Sequence, residues 1–474
     1  MERWSSRTGF LLAAVGAAVG LGNIWRFSAV VGQNGGGAYL VPYLAAAFLF
    51  AVPLLALELA VGRDLRTDVV SAFGSIRREF TPVGWVLVGS VALILSYYLV
   101  LTGWVLAFLV SAVGGEEIAF GSFTTGHRPV VYFVGAALVT GGVVSLGVRN
   151  GIERLSRFVV PGLAVLLAGL AVYAATLPGF DDALGFLFTP ETAVLDDPSV
   201  WGAAVGQVFF SLSVGQGIMM TFGGYMDGDA DLLSTSVTIA VADVAVAIVA
   251  GLVIFPIVFT VGAAPTVGTE LAFTTLPAAF ASMPAGRLVG VAFFGALAVA
   301  ALTSAVALLE VVVAAVIPAT GLDRRDATMG TTGVVVLLGL PSALSYSAVE
   351  LQLAGRPVLD VMDETVGTYG LPVTAFAIVV AFLWFQPHEV VRRRLPNPGV
   401  RALLAYVVPV VLAVVTGLRF ASTVPVDAWG LLVGRPPVSR PVAVAAMAVV
   451  LVGLAVLGIY LARTLRSGAD RESP

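Results

Sequence analysis

The chain has 474 residues, of which 58% are hydrophobic and 11% are charged, and its formal net charge is −4. Soluble domains carry about 25% charged residues, so this composition excludes a soluble protein and indicates a helical membrane protein. Every basic residue is arginine and there is no cysteine. Lysine nucleophiles, Walker A loops, disulfides and thiolate catalysis are therefore excluded. The acidic balance argues against nucleic acid as a partner.

Uncharged apolar runs long enough to cross a bilayer recur along the whole chain. Twelve spans are predicted, near 9-31, 38-61, 83-113, 129-147, 158-177, 201-224, 234-262, 288-317, 328-347, 364-386, 400-418 and 441-463. Most arginines fall in the segments that lie on the N-terminal side of the membrane, which predicts that both termini are cytoplasmic. No cleavable signal peptide is predicted, because Arg26 and a glycine-rich stretch follow the first run. The outer loops 114-128, 178-199 and 263-287 are long enough to form short surface helices.

Two spans contain the same glycine pattern, V-G-x-G, at 19-22 in span 1 and at 214-217 in span 6. Equivalent segments that lie five spans apart enter the membrane in opposite directions, which is typical of an inverted repeat of five helices. Glycine pairs weaken a helix, and unwound backbone offers carbonyls to a cation and N–H groups to a carboxylate. The alternative is that both pairs only allow close helix packing.

Longer motifs carry a family resemblance. The run GAAVGLGNIWRF at 16-27, the run NGGGA at 34-38, the run GQVFFSLS at 206-213 and the triplet Leu302-Thr303-Ser304 closely resemble the neurotransmitter:sodium symporter family, in its prokaryotic amino-acid-transporting branch. The resemblance implies an all-α membrane protein of about 12 helices with a 5+5 inverted repeat, in which helices 1 and 6 are broken at the midplane. It implies one transporter domain, 1-474, with repeats at 7-177 and 198-386, and two further helices with a cytoplasmic tail in 387-474.

The resemblance also implies about two sodium ions and no organic cofactor. The implied first sodium site consists of the Ala18 carbonyl and the side chains of Asn23, Ser211 and Asp243, together with the substrate carboxylate. The second consists of the carbonyls of Gly16, Val19 and Ala300 and the hydroxyls of Thr303 and Ser304. Oxygen-only sites of this kind suit a hard cation. The alternative for the two hydroxyls is ordinary bonding to the preceding helical turn.

Substrate contacts follow from the same resemblance: Ala17, Leu21, Gly22, Ile94, Tyr98, Phe210, Ser211, Ser213, Gln216, Ser304 and Leu308. Ile94 and Tyr98 lie four residues apart and share a helix face, whereas Tyr97 is predicted to point away and pack. Gly20 replaces the aspartate of amine-transporting relatives, which favours an α-amino acid. Gln216 departs from the aromatic residue of the best-known bacterial member, so the substrate side chain stays open.

Gate residues are implied at both ends of the substrate path. Arg26 and Asp363 match the outer pair, beneath which Phe210 and Tyr98 would form an aromatic lid. Trp4 and Tyr225 match the inner gate, but the expected arginine and aspartate fall at Met1 and Pro318. Arg3 or Arg7 with Asp227 or Asp323 are the candidate replacements. Glu58 and Glu310 are intramembrane acids that either brace unwound backbone or take part in transport.

These observations predict a sodium-coupled symporter, not an enzyme, that imports a neutral amino acid into the cell by alternating access. Chloride independence is expected, because Asp243 and Ala247 replace the asparagine and serine of chloride-dependent relatives. Uptake of an osmolyte such as betaine or taurine is the alternative within transport, and a sodium-binding sensor or channel is the alternative outside it. The expected setting is the cell membrane, with the lipid bilayer as a partner and the chain as a monomer or homodimer.

Overall fold

The structure is a computed structural model, which describes residues 2–116, 118–189, 192–227, 231–265, 271–385, 391, 393–395 and 397–423. Within these ranges the chain is almost entirely helical. The described strands are Gln352–Leu353 and Arg356–Pro357, which pair antiparallel in one short hairpin. This confirms the predicted all-α class.

Nine of the described helices are long and apolar enough to cross a membrane. They are Gly36–Leu65, Arg78–Gly114, Arg128–Ser145, Val148–Ala174, Leu232–Thr260, Gly286–Thr320, Arg324–Ser345, Val358–Phe385 and Pro398–Gly417. A tenth span is a pair of helices, Arg7–Ala18 and Gly22–Gln33, with a bend of 51° between them. The bend falls on the first V-G-x-G pattern, as predicted.

A second broken span follows Val148–Ala174, the fourth of these nine helices. It consists of Pro198–Ser211 and Ile218–Gly224, which are separated by an unwound segment at 212–217. The second V-G-x-G pattern lies within this segment, so both predicted interruptions are confirmed. Eleven of the predicted spans thus correspond to described helices; most ends differ by a few residues, but the fifth span begins at Val148 and not at 158. The twelfth, 441-463, lies outside the described residues, as does the predicted tail.

Short helices occupy the connecting loops. Val69–Ile76 follows the second span, and the predicted outer loops contain Phe120–Thr124, Phe180–Phe188, the 3-10 turn Thr192–Asp196, and Leu271–Ser282. The prediction of surface helices in these three loops is confirmed.

Burial separates two kinds of spanning helix. Arg78–Gly114 and Gly286–Thr320 are buried along most of their length, whereas Arg128–Ser145, Val148–Ala174 and Arg324–Ser345 expose large apolar side chains on one face. Such apolar faces are the ones that meet lipid in a membrane protein. The two central helices pack against the broken spans, and they carry Tyr98 and Ser304 into the middle of the molecule.

Candidate functional site

The break in span 1 is held open by polar side chains. Val19 leaves the helix in an extended conformation, and Asn23 Oδ1 accepts a 2.9 Å hydrogen bond from the Gly20 amide. The Leu21 amide donates to the Tyr98 hydroxyl at 3.3 Å. A Cβ atom at Gly20 would lie 2.6 Å from Ser304 Oγ and 2.9 Å from the Tyr98 hydroxyl oxygen. Glycine at this position therefore keeps the freed backbone next to the site.

The break in span 6 depends on left-handed backbone. Ser213, Gly215 and Gly217 have φ angles of 54°, 84° and 70°, a region that costs glycine little. The buried Glu58 carboxylate accepts a 2.8 Å hydrogen bond from the Gly215 amide, and the amides of Met219 and Met220 face the same carboxylate. Glu58 thus satisfies a backbone group, the Gly215 amide, that the break leaves without a helical partner. This contact fits the predicted alternative in which Glu58 supports the unwound backbone.

The four residues predicted for the first sodium site lie at the meeting point of three spans. Asn23 Nδ2 donates to Asp243 Oδ1 at 2.6 Å, and Ser211 Oγ donates to both Asp243 carboxylate oxygens at 3.0 Å. Asp243 is 1% exposed. Ala18 lies next to this cluster and lines the adjoining cavity. A buried carboxylate beside the Ser211 hydroxyl and freed backbone carbonyls fits the oxygen preference of a hard monovalent cation, and the Asn23 amide lies next to it.

The residues predicted for the second sodium site bring span 1 against Gly286–Thr320. Ser304 Oγ reaches across to the Val19 carbonyl at 3.4 Å and the Ala17 carbonyl at 3.2 Å. Thr303 Oγ1 donates to the Ala300 carbonyl at 3.0 Å, within its own helix. A Cβ atom at Gly16 would lie 3.4 Å from Thr303 Cβ. The five predicted residues are therefore neighbours, although Thr303 makes the ordinary intrahelical bond.

A small cavity of about 20 Å³ lies between the two breaks. Nine of the eleven predicted substrate residues line it, together with Ala18 and Gly20: they are Gly22, Ile94, Tyr98, Phe210, Ser211, Ser213, Gln216, Ser304 and Leu308. The remaining two, Ala17 and Leu21, contribute backbone at its wall through hydrogen bonds with Ser213, Ser304 and Tyr98. This volume holds about one water molecule, so a larger molecule requires the walls to separate.

We call the end of the molecule near Arg26 and Asp363 the outer end, following the predicted orientation. The Arg26 guanidinium carbon lies 4.2 Å from the centre of the Phe210 ring, a cation–π contact. Arg26 also approaches Thr368 Oγ1 at 3.5 Å. The described ion pairs do not include one between Arg26 and Asp363. At the predicted outer gate, the Arg26 guanidinium and the Phe210 ring therefore cover the cavity.

The prediction that Tyr97 packs is confirmed, but Tyr97 also lies at the outer gate. It is fully buried, and its hydroxyl faces the Asp363 carboxylate across Gly367. Tyr97 directly precedes Tyr98, and its side chain faces the helix Val358–Phe385 instead of the cavity or lipid. Tyr97 is thus a contact of the outer gate that the sequence analysis missed.

The inner end is closed by the N-terminal segment. Trp4 is buried, its indole N–H donates to the Phe222 carbonyl at 3.0 Å, and its amide donates to the Tyr225 carbonyl at 3.2 Å. The Tyr225 hydroxyl donates to Glu310 at 2.6 Å. The two predicted inner-gate residues therefore touch each other directly.

Charged residues surround this pair. Arg324 binds the fully buried Glu310 through two guanidinium nitrogens, and it also pairs with Glu2 at 2.9 Å. Arg3 pairs with Asp227 at 3.2 Å, which is one of the predicted replacement pairs. Asp323 instead caps the helix Arg324–Ser345 through the Asp326 amide. The pairing of Glu2 with Arg324 was not predicted, because the two residues are far apart in the chain and no sequence pattern connects them.

Comparisons with known proteins agree with this geometry. A family model described as the sodium:neurotransmitter symporter family matches residues 1–124 and 127–407. The chain belongs to the sodium:neurotransmitter symporter family. An uncharacterized sodium-dependent transporter of Bacillus subtilis is 34% identical over 79% of this chain and 86% of its own. Another from Methanocaldococcus jannaschii is 32% identical over 81% of this chain and 82% of its own.

A solved structure also resembles the chain. The crystal structure of MhsT in complex with L-phenylalanine matches with a TM-score of 0.81 and 36% identity, covering 88% of this chain and 99% of MhsT. The fold is therefore the leucine-transporter-like inverted repeat with broken helices 1 and 6. Together the comparisons show that this member of the symporter family is a sodium-dependent, multi-pass membrane transporter.

Proposed function

We propose that this transporter is a sodium-coupled symporter that imports a neutral α-amino acid by alternating access. The observation that carries the proposal is the cavity between two unwound breaks, where backbone N–H and C=O groups lie beside Asp243, Asn23 and Ser211. A zwitterion offers a carboxylate and an ammonium group to such a site. MhsT, a relative of similar fold, has been solved with L-phenylalanine.

Each cluster has one role in this scheme. Sodium 1 binds Ala18, Asn23, Ser211 and Asp243, and sodium 2 binds Gly16, Val19, Ala300, Thr303 and Ser304. The Tyr98 hydroxyl and the freed amides of span 1 hold the substrate carboxylate. Arg26, Phe210 and Asp363 close the outer side, and Trp4 and Tyr225 close the inner side. Glu58 braces the backbone and does not bind substrate.

The sodium assignment has a direct test. The double substitution Thr303→Ala with Ser304→Ala removes two hydroxyl ligands, so sodium stimulation of substrate binding is lost. Thr320→Ala is the matched control, because Thr320 lies on the same helix at an exposed position. Purified proteins are compared by radiolabelled amino-acid binding over a sodium titration. Undiminished sodium dependence in the double variant would refute the second sodium site.

Chloride independence rests on two buried positions in Leu232–Thr260. Asp243 supplies a fixed negative charge beside the first sodium site, and Ala247, one turn later and fully buried, offers no hydroxyl to an anion. A second anion close to this carboxylate is repelled. Replacing chloride by gluconate therefore leaves uptake unchanged. Asp243→Asn with Ala247→Ser becomes chloride-stimulated, and a wild-type protein that needs chloride contradicts the assignment.

The symporter also differs from a sensor or channel in one measurable property. In proteoliposomes preloaded with unlabelled amino acid, a carrier that alternates between its two faces accumulates labelled amino acid by counterflow. A channel or a sensor gives no counterflow. The same vesicles separate amino acids from betaine and taurine, each tested as the preloaded compound.

The remaining parts of the scheme concern organisation. The single domain 1-474 is divided into the inverted repeats 7-177 and 198-386 and the segment 387-474. Both termini face the cytoplasm of the cell membrane, since arginines are concentrated in the loops of that side. A biotinylation tag placed at the N-terminus and labelled in intact cells checks this orientation: labelling from outside would contradict it.

A further inference from the structure

Gln216 is the polar residue of the cavity whose side chain has no assigned partner. It lines the cavity from the unwound segment of span 6 and is 4% exposed. Its Oε1 atom is buried and accepts no hydrogen bond within the described part of the chain. A buried acceptor left without a donor costs about 1–3 kcal/mol. The site therefore gains free energy if a bound molecule brings a donor to this oxygen.

The other polar side chains of the cavity already have partners in the protein. Ser211 donates to Asp243, Ser213 donates to the Ala17 carbonyl, Ser304 donates to the Ala17 and Val19 carbonyls, and the Tyr98 hydroxyl accepts from the Leu21 amide. The apolar walls are formed by Ile94, Phe210 and Leu308. Gln216 is thus the polar side chain of the cavity that is left without a protein partner in the described part of the chain.

Two pinned glycines fix the backbone of Gln216. A Cβ atom at Gly215 would lie 2.8 Å from Ala375 Cβ and 2.9 Å from the Leu371 carbonyl oxygen. A Cβ atom at Gly217 would lie 2.8 Å from Val69 Cγ2. The Gly215 amide is also bonded to Glu58. Because both flanking residues are held tightly, Gln216 is presented to the cavity by a preorganised backbone.

From this arrangement we infer that the preferred substrate is a neutral amino acid whose side chain carries an O–H or N–H donor for the Gln216 carbonyl. The inference rests on the proposed amino-acid transport and specifies its substrate class. Apolar walls around the amide provide no charge to balance an ionised side chain, so charged amino acids are disfavoured. A hydrocarbon side chain of the same shape leaves the buried oxygen unpaired.

The test compares matched pairs of amino acids that differ mainly by the donor. The pairs are threonine with valine, tyrosine with phenylalanine, and glutamine with leucine. The amino acid that binds most tightly is radiolabelled, and each member of a pair is tested as a competitor of its sodium-dependent binding to the purified, full-length protein. In the pair that binds best, the donor-bearing member binds roughly 10- to 100-fold more tightly. Gln216→Met lowers this ratio to about one, because methionine keeps the length but not the acceptor.

Two further variants sharpen the result. Gln216→Glu keeps an acceptor oxygen at the same distance from the backbone and retains the preference for the donor. Gln33→Met makes the matched exchange at an exposed position of Gly22–Gln33 and leaves the ratio unchanged. The wild-type ratio is decisive by itself if the Gln216→Met protein does not fold.

Each outcome bears on a different statement. Amino-acid binding with equal affinity for both members of every pair overturns the inference and leaves the proposed transport standing. A Gln216→Met protein that keeps the full preference also overturns it. If no amino acid of the panel binds in the presence of sodium, both the proposed transport and this inference are refuted.

Discussion

The two ends of the substrate path are closed by different amounts of structure. At the outer end, one guanidinium lies over the Phe210 ring and approaches Thr368 at 3.5 Å. At the inner end, the N-terminal segment is fastened by Trp4, by the Glu2 pair with Arg324 and by the Arg3 pair with Asp227. Opening the inner end breaks several polar contacts at once, whereas opening the outer end moves one aromatic lid. We expect the outer end to open at a lower free-energy cost, because fewer hydrogen bonds and ion pairs hold it in the described part of the chain.

Arg324→Met gives the largest expected effect, because it leaves the fully buried Glu310 without its guanidinium partner. Breaking a buried ion pair on one side costs about 3–5 kcal/mol. The free energy of unfolding falls by that amount, measured in detergent by denaturant titration with tryptophan fluorescence. Arg324→Met with Glu310→Gln recovers more than half of the loss, since no buried charge remains. A single variant as stable as the wild type contradicts this interpretation of the inner end.

Asp363→Asn tests the outer end and has an intermediate effect. An arginine in a closed site needs a counter-charge, and this substitution removes the carboxylate that the Tyr97 hydroxyl faces. Sodium-driven uptake falls about tenfold, which corresponds to about 1.4 kcal/mol on the closing step. The melting temperature stays close to that of the wild type. The control is Asp360→Asn, three residues earlier on the same helix and bonded to Tyr346; wild-type uptake by Asp363→Asn would show that this carboxylate does not gate.

Glu2→Gln gives the smallest effect, because the Glu2 side chain is 37% exposed and its pairing with Arg324 is partly solvated. The chain has no cysteine, so Ala13→Cys, a buried position of Arg7–Ala18, introduces a single thiol that reports opening of the inner end. Its labelling rate rises roughly two- to fivefold in the Glu2→Gln background. Arg3→Gln, whose pair is more exposed, changes the rate less. Equal rates in all three proteins would mean that these pairs do not hold the inner end closed.

The sequence predicted those parts of the site that depend on local backbone chemistry. Glycine patterns at 19-22 and 214-217 located both breaks, because unwinding in a membrane requires residues that tolerate unusual φ angles. Hydrophobic run lengths located the eleven described spans. The residues of the two cation clusters were named from the family resemblance and lie together in the structure, although their roles stay predictions.

Contacts between distant segments were harder to predict. Tyr97 was interpreted as a packing residue because helical spacing says which side chains share a face but not which helix that face meets. The pairing of Glu2 with Arg324 joins the N-terminal segment to the first residue of Arg324–Ser345, and no periodicity encodes it. Arg3 with Asp227 was one of several options, which only the three-dimensional structure could distinguish. Such pairs depend on the packing of the whole bundle.

The Glu58 carboxylate belongs to a set of hydrogen bonds that connect neighbouring spans. Glu58 lies on Gly36–Leu65 and accepts a hydrogen bond from the Gly215 amide, which lies in the break of span 6. Gln207 of span 6 bonds the Gly22 carbonyl of span 1, and Asn23 of span 1 bonds Asp243 of Leu232–Thr260. These hydrogen bonds join four spans into one buried network. We expect these four spans to move together during transport, because separating them would leave buried polar groups unpaired.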